Sequence, residues 1–374
     1  MGTLGLYFHI PFCMSKCAYC DFCSFPRVEK EMRHRYVLAL LRELAARAGD
    51  LTGRKVDSVF FGGGTPTLLE SADLCLLLDS VKAHFSLTHD AEITLECNPK
   101  TATAESLRAL RAGGFNRLSI GMQSANDTEL AALGRAHRHG DLLRALRDAR
   151  DAGFENINLD LMFGIPHQTK ESFAHTLDET IALSPTHLSV YSLQIEEGTP
   201  FYQNRASLPL PSEDEEAEMA EMLHTRLAQA GYGRYEISNY ARAGYECRHN
   251  LRYWRMEDYL GIGIAAHSLI GSRRFYNREE LDAYLEDPLA LLEEEERLSQ
   301  QEREFEYVML GLRLSRGIEE AAFRRIFGHG FQEKYGARLA PYVARGLALC
   351  NGERTYLSDA GMAVSNALLA EILD

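Results

Sequence analysis

No apolar run in this 374-residue chain approaches the roughly 20 residues needed to span a bilayer, so no membrane-spanning helix is expected. The N-terminal MGTLGLYFHIPF is apolar, yet it lacks a basic start and a small-residue cleavage site, which argues against a secretory leader. It reads as a first buried strand, and the chain as cytoplasmic. Positive charge is scarce: 40 Lys and Arg stand against 54 Asp and Glu, a net charge of −14. That balance argues against nucleic acid or another phosphate-rich partner. No short-period repeat is present, which argues against a solenoid. The eight cysteines lack the spread of a disulfide framework. Four of them (Cys13, Cys17, Cys20, Cys23) crowd into eleven positions, while Cys75, Cys97, Cys247 and Cys350 are scattered. Clustering of that kind points to metal or redox chemistry. Cys75 sits in an apolar helix pattern and reads as core, and Cys247 and Cys350 read as structural.

What is present is an alternation of strand and helix over the first 195 residues. Strand-like runs occupy 4–10, 57–63, 92–98, 116–124, 156–164 and 187–195, with amphipathic helical patterns between them. Such alternation gives parallel pairing through right-handed crossovers, here a partial (β/α)6 barrel of the α/β class. Residues 208–233 predict one more helix, with Ser212 and Glu215 as a capping box. An irregular aromatic- and Gly-rich region follows at 232–277, and the acidic run at 285–306 reads as a solvated helical face. The last 75 residues predict two helices, a hairpin around Asn351–Gly352 and a final helix capped by Ser358, a winged-helix-like unit. The expected division is a barrel over 1–235, a connecting region over 236–298 and a C-terminal domain over 299–374.

Cys13, Cys17 and Cys20 form C-x3-C-x2-C directly after the first strand, at the end of a barrel where active sites gather. Three thiolates fall one short of a structural zinc site, which remains the alternative. A 4Fe–4S cluster held by three cysteines leaves one iron open for a chelating cofactor. Cys23 is open to three readings: a fourth ligand, a redox thiol or a bystander. It is taken here as near the site without being a ligand.

The run FFGGGTP (60–66) follows the second strand. Consecutive glycines either let backbone groups approach a ligand or make a tight turn without one. A phosphate loop is disfavoured because no G-K-[S/T] ending follows. Glu96, Gln123 and Asp160 interrupt later apolar strands at the same end, where burial without a partner would be costly. Arg135, in LGRAH, offers a fork suited to a carboxylate.

With LYFHIPFCMSKCAYCDF, FFGGGTP, ITLECNP, RLSIGMQS, LGRAH, NLDLMFGIPHQT, SVYSLQIEEGTP and RHNLRYW on view, the chain resembles the radical S-adenosylmethionine (SAM) superfamily over nearly its whole length. Within it, the resemblance is to the branch of oxygen-independent coproporphyrinogen III oxidases and HemW-type heme chaperones. It implies cofactor contacts from Tyr7, Gly63, Gly64, Thr65, Glu96, Gln123, Arg135 and Asp160. Glu96 would meet the methionine amino group of SAM, Arg135 its carboxylate and Asp160 its ribose. In the family the cluster reduces the sulfonium and a 5′-deoxyadenosyl radical results.

Oxidase and chaperone are different classes. The oxidases usually carry C-x3-C-x2-C-x-C after a long preceding segment. Here Phe22 occupies that fourth cysteine's place, with cysteine one residue later, and the motif starts only thirteen residues in. HNLRYW (249–254) resembles the HNxxYW motif of the chaperones, making His249 a candidate heme contact beside Tyr253 and Trp254. On chemistry alone, packing of His249 in the linker is the plainer alternative. His9 reads as shaping the cluster loop; His137, His167 and His267 are less distinctive. A third reading, radical RNA modification, fits the possible winged helix but not the acidic balance. The expected function is a heme chaperone, with coproporphyrinogen III oxidation as the alternative and no catalytic residue assigned. The resemblance further implies recipient hemoproteins, peripheral membrane association, and an electron donor such as a ferredoxin, flavodoxin or bacterioferritin.

Overall fold

Six strands run parallel and in chain order: β1 (Leu4–Ile10), β2 (Lys55–Gly63), β3 (Ser86–Cys97), β4 (Arg117–Gln123), β5 (Asn156–Phe163) and β6 (His187–Ser192). This computed structural model describes residues 2–373, apart from the side chains of residues 294 and 295. The strands fall where the apolar runs predict them, except that β3 begins at Ser86 rather than at 92. Alternation along each strand divides its side chains between two faces. In β1, Leu4, Leu6, Phe8 and Ile10 enter the core with Leu40 and Leu44 of the helix α1 (Lys30–Ala48). Tyr7 and His9 take the opposite face, the barrel interior.

Crossover helices cover the outside, and their starts follow local chemistry. Thr103 and Thr169 close capping boxes with Ser106 and Ser172. The helix Glu213–Gln229 begins at the expected Ser212–Glu215 box and buries Met219, Leu223 and Leu227.

The stretch expected to be irregular instead contains several short strands and a helix. Tyr259–Ile262 pairs parallel with β1, and His267–Ile270 and Arg273–Asn277 continue the sheet antiparallel. At the opposite edge, Asn239–Ala241 pairs antiparallel with β6. Short strands joined by Gly turns leave no long periodic run, which is why sequence pattern missed them. The acidic run also departs from a helical face. Residues Leu292–Arg297 form an edge strand against Arg273–Asn277, between the helices Leu281–Glu286 and Gln300–Gly311. Charged side chains on an edge strand resist further pairing.

One buried carboxylate fastens these added strands to α1. Glu43 accepts hydrogen bonds from the Gly263 backbone (2.8 Å), Asn277 Nδ2 (2.7 Å) and Tyr284 Oη (2.5 Å), and pairs with Arg47 (2.6 Å). Tyr36 Oη donates to the His9 carbonyl (3.0 Å) and accepts from the Ile264 amide (3.1 Å). The end of β1 and the Gly263–Ala265 turn are therefore held to the same helix.

The C-terminal part has its own core, including Val308, Phe323, Phe331, Leu339 and Leu369. Helices Glu320–Phe327 and Phe331–Ala344 precede the hairpin Ala348–Cys350 with Arg354–Leu357, which Ile318–Glu319 extends to three strands. Ser358 caps the following helix, accepting from the Gly361 amide. Cys350, read as structural, is exposed on this hairpin, and Cys75 is only partly buried against the core. Among the described residues, no helix is long and apolar enough to cross a membrane.

Candidate functional site

The cysteine loop leaves β1 and returns beside it. Phe12–Cys13 bridges to Phe25–Pro26, and the Arg27 amide donates to the Cys13 carbonyl at 3.1 Å. Farther along, the Ala18 amide donates to the Leu133 carbonyl, and the Phe201 amide to Ala18. Cys13, Cys17 and Cys20 are all partly buried on this loop. Burial raises the thiol pKa of Cys13 and Cys20, and both feel the charge of Cys17. Metal ligation offsets such a rise by removing the proton outright. Thr65 Oγ1 lies 3.9 Å from Cys13 Sγ, and Arg135 Nη1 lies 3.7 Å from Cys17 Sγ. Donors aimed at sulfur suit ligands that carry negative charge on a cluster. Cys23 faces elsewhere: burial and the Glu279 carboxylate push its thiol up to about 11.

The glycine run packs against this loop. A Cβ on Gly63 would lie 2.5 Å from the His9 ring, and one on Gly64 would lie 2.6 Å from the Phe12 carbonyl oxygen. The close approach seen at both glycines is thus to protein atoms, those of the β1 residue His9 at Gly63 and of the start of the cysteine loop at Gly64. The Gly63 amide donates to Glu96 Oε2 at 3.0 Å.

Inside the barrel, Glu96 of β3 and Asp160 of β5 share a buried polar chamber. Burial first, then the Asp160 charge, pushes the Glu96 carboxyl up to about 8. Burial also raises Asp160, against opposing hydrogen bonds from Asn158 (2.7 Å) and Ser119 (3.3 Å to each oxygen). Two carboxylates confined together favour a cationic guest. Gln123 stands at a register shift in β4 with φ +64, a backbone conformation costly for a non-glycine residue. Arg135 donates from Nη2 to the Gly121 carbonyl at 3.3 Å, while its buried Nε has no partner. The unpartnered Nε and the paired acids fit a molecule bearing both a carboxylate and an ammonium.

Tyr7, from β1, is partly buried with its hydroxyl 3.0 Å from His9 Nδ1, and His9 Nε2 lies 3.0 Å from the Cys23 carbonyl. Behind Tyr7, Phe60 and His249 are stacked at 5.3 Å. The helix Arg248–Trp254 places His249 fully inside the protein. Its Nδ1 is 3.0 Å from Ser58 Oγ and its Nε2 is 2.8 Å from Tyr253 Oη. Burial, reinforced by Arg252 and Arg117, lowers the His249 pKa to about 3, so the ring is neutral. Both of its nitrogens are engaged within the protein.

A radical SAM superfamily model matches residues 7–180, and a HemN C-terminal domain model matches residues 298–364. The heme chaperone HemW of Bacillus subtilis is 34% identical over 374 residues, 98% of each chain. That of Haemophilus influenzae is 38% identical over 88% of this chain and 87% of its own, and that of Escherichia coli is 44% identical over 72% and 71%. The chain belongs to the HemW family of radical SAM proteins. Among solved structures it is similar to coproporphyrinogen III oxidase (HemN) from Escherichia coli, a radical SAM enzyme. The TM-score is 0.87, at 28% identity over 99% of this chain and 90% of that one.

Membership in the superfamily implies a 4Fe–4S cluster and SAM, and the donor set of this HemW-family chain fits both. Three partly buried thiols suit the cluster, and the paired acids with the open Arg135 Nε suit the amino acid end of SAM. Sequence reasoning missed several residues that complete the chamber. Tyr19, between two of the cysteines, interacts with Arg135. Ser119, Asn158 and the fully buried Arg117 surround Asp160. Strict alternation was the available signal, because Ser119 lies two residues from Arg117 in β4 and Asn158 two from Asp160 in β5.

Proposed function

We propose that this protein is a heme chaperone, binding heme and passing it to hemoproteins that lack it. The observation that carries the reading is identity of 34% to a named heme chaperone over 98% of both chains. Supporting it, HNLRYW lies against the barrel, with Tyr253 on a cavity beside the cluster loop. Cys13, Cys17 and Cys20 would hold the cluster, with Thr65 beside the sulfur of Cys13. Glu96 would take the ammonium of SAM, Arg135 its carboxylate and Asp160 its ribose hydroxyls, with Tyr7, Gly63, Gly64 and Gln123 shaping the pocket. When bound, the cluster supplies one-electron reduction at the sulfonium. His249 in this reading supports the heme region by holding Tyr253.

The same reading places the chain in the cytoplasm, at times against the membrane face. Its electron donor would be a ferredoxin, flavodoxin or bacterioferritin. The net charge of −14 keeps nucleic acid out of the scheme.

The likeness to HemN makes coproporphyrinogen III oxidation the competing reading. The test is anaerobic purification, hemin titration and transfer to a heme-depleted hemoprotein, run beside incubation with coproporphyrinogen III and a reductant. Heme uptake with restored recipient activity is expected. Release of carbon dioxide with 5′-deoxyadenosine would overturn the chaperone reading.

A further inference from the structure

Beside the cluster loop opens a cavity of about 370 Å³, a size within the usual range of small-molecule sites. Phe22, Tyr253 and Tyr259 give it aromatic walls, and Cys23 and His267 bring two donors that bind transition metals. Neither the Cys23 thiol nor a His267 ring nitrogen makes a hydrogen bond among the described residues. His249, by contrast, has both nitrogens occupied. The His267 ring is set by stacking on Tyr276 at 5.0 Å, and Phe22 leaves 61% of its surface in solvent. Among the described residues, no three His, Cys, Asp or Glu side chains converge as a lone metal ion would require. An iron porphyrin has no such need, because its ring supplies four nitrogens and the protein adds only one or two axial ligands.

We propose that this cavity is the heme-docking site, with the iron taken by Cys23 Sγ and His267 and the ring laid against Phe22, Tyr253 and Tyr259. The proposal rests on the heme-chaperone reading and gives it a location. It assigns iron ligation to Cys23 and His267 in place of His249. Coordination is a ligand exchange in which water leaves the iron and the thiol proton passes to solvent as the Fe–S bond forms. Asp21 and Glu279 also line the cavity and repel carboxylates. The propionate edge therefore points to solvent and toward Lys16, whose ammonium lies 3.2 Å from the Phe22 carbonyl. Cys20 and Cys23 share one loop, so the cluster and the heme would be neighbours.

The test titrates hemin into the anaerobically reconstituted full chain and compares wild type, Cys23→Ala, His267→Ala and the double variant. Cluster iron and sulfide are assayed in each. The wild type is expected to show the ferric electron paramagnetic resonance signal of a thiolate-ligated heme, a readout independent of any variant's folding. Cys23→Ala should lose that signal, His267→Ala should bind hemin at least about tenfold more weakly, and the double variant should fail to bind, all with the cluster intact. If hemin binds but both single variants keep the wild-type spectrum and affinity, the site is wrong while the chaperone reading stands. Loss of cluster iron in Cys23→Ala would make Cys23 a cluster ligand and also overturn the site. If the wild type takes up no hemin at all, the chaperone reading itself falls.

Discussion

The Asp160 carboxylate raises the affinity of Glu96 for a proton inside their shared chamber, where Arg117 acts on both acids only through its field. With the Glu96 carboxyl at about 8, most of it is protonated in the SAM-free protein at neutral pH. An ammonium bound there would drive that proton off. SAM binding near pH 7 should therefore release a proton, and affinity should climb as pH rises toward 8. Calorimetry in buffers of differing ionisation heat measures both. Glu96→Gln keeps an acceptor for the Gly63 amide but removes the charge. It should cost about tenfold in affinity and abolish the proton release.

The same raised carboxyl has a stability consequence. Glu96 in the folded chain holds its proton up to about 8, while an unfolded chain loses it near 4.5. Between those values the folded state binds more protons, so this group's contribution to stability falls as pH rises. Thermal unfolding of the SAM-free protein should show that decline, and Glu96→Gln should flatten it.

His249 has the opposite sign. Its folded pKa of about 3 lies below the ordinary 6.5, so the unfolded chain binds the extra proton between those values. The stability it contributes is present above about 6.5 and is lost as pH falls toward 3. His187, fully buried and also lowered by burial, adds to the same trend. His249→Ala leaves Ser58 and Tyr253 without a partner and should destabilise the chain by about 2–4 kcal/mol, read from denaturant unfolding. His249→Gln can retain part of the pairing and should lose less.

Periodicity carried the barrel because each strand and each crossover helix is long enough to show its own pattern. It failed between 232 and 297, where four-residue strands such as Tyr259–Ile262 owe their place to Glu43 and Tyr36, side chains more than 200 residues away. Cys13, Cys17, Cys20, Glu96, Arg135 and Asp160 were legible because thiols, acids and a guanidinium at strand ends are expensive without a purpose. Gly63 and Gly64 were legible as sites of close approach, but the approaching atoms, from His9 and Phe12, were not. The engagement of His249 Nδ1 depends on Ser58, 191 residues away in sequence, and spacing within HNLRYW holds no trace of it, whereas Nε2 meets Tyr253 four residues on, inside the motif.

Thr65, Arg135 and the three cysteines make a prediction about the cluster. Replacing Cys13, Cys17 or Cys20 by Ala should leave reconstituted protein with no stable cubane, read as loss of iron and acid-labile sulfide. Arg135→Lys should keep the cluster but weaken SAM by about tenfold, because a point charge replaces the fork that leaves Nε open. Equal SAM affinity in that variant would remove Arg135 from the carboxylate's site.

Gly64 ties the cofactor strand to the cluster loop through backbone alone. Its amide donates to the Ile10 carbonyl at 2.9 Å, and an added Cβ would meet the Phe12 nitrogen at 2.9 Å as well as the Phe12 oxygen at 2.6 Å. Both clashes are with main chain, so no side chain can turn aside to relieve them. Phe12 immediately precedes Cys13, and its displacement would move the first of the three cysteines proposed to hold the cluster. Gly64→Ala should therefore fold its C-terminal core yet assemble the cluster poorly, with iron occupancy well below wild type and SAM affinity reduced in step. Gly53 offers the contrasting substitution, because nothing lies within 4 Å of a Cβ there and only its φ of +84 is strained. Gly53→Ala should lose about 1 kcal/mol of stability with full cluster occupancy. Iron and sulfide assays on the two variants separate a local backbone cost from a displaced ligand.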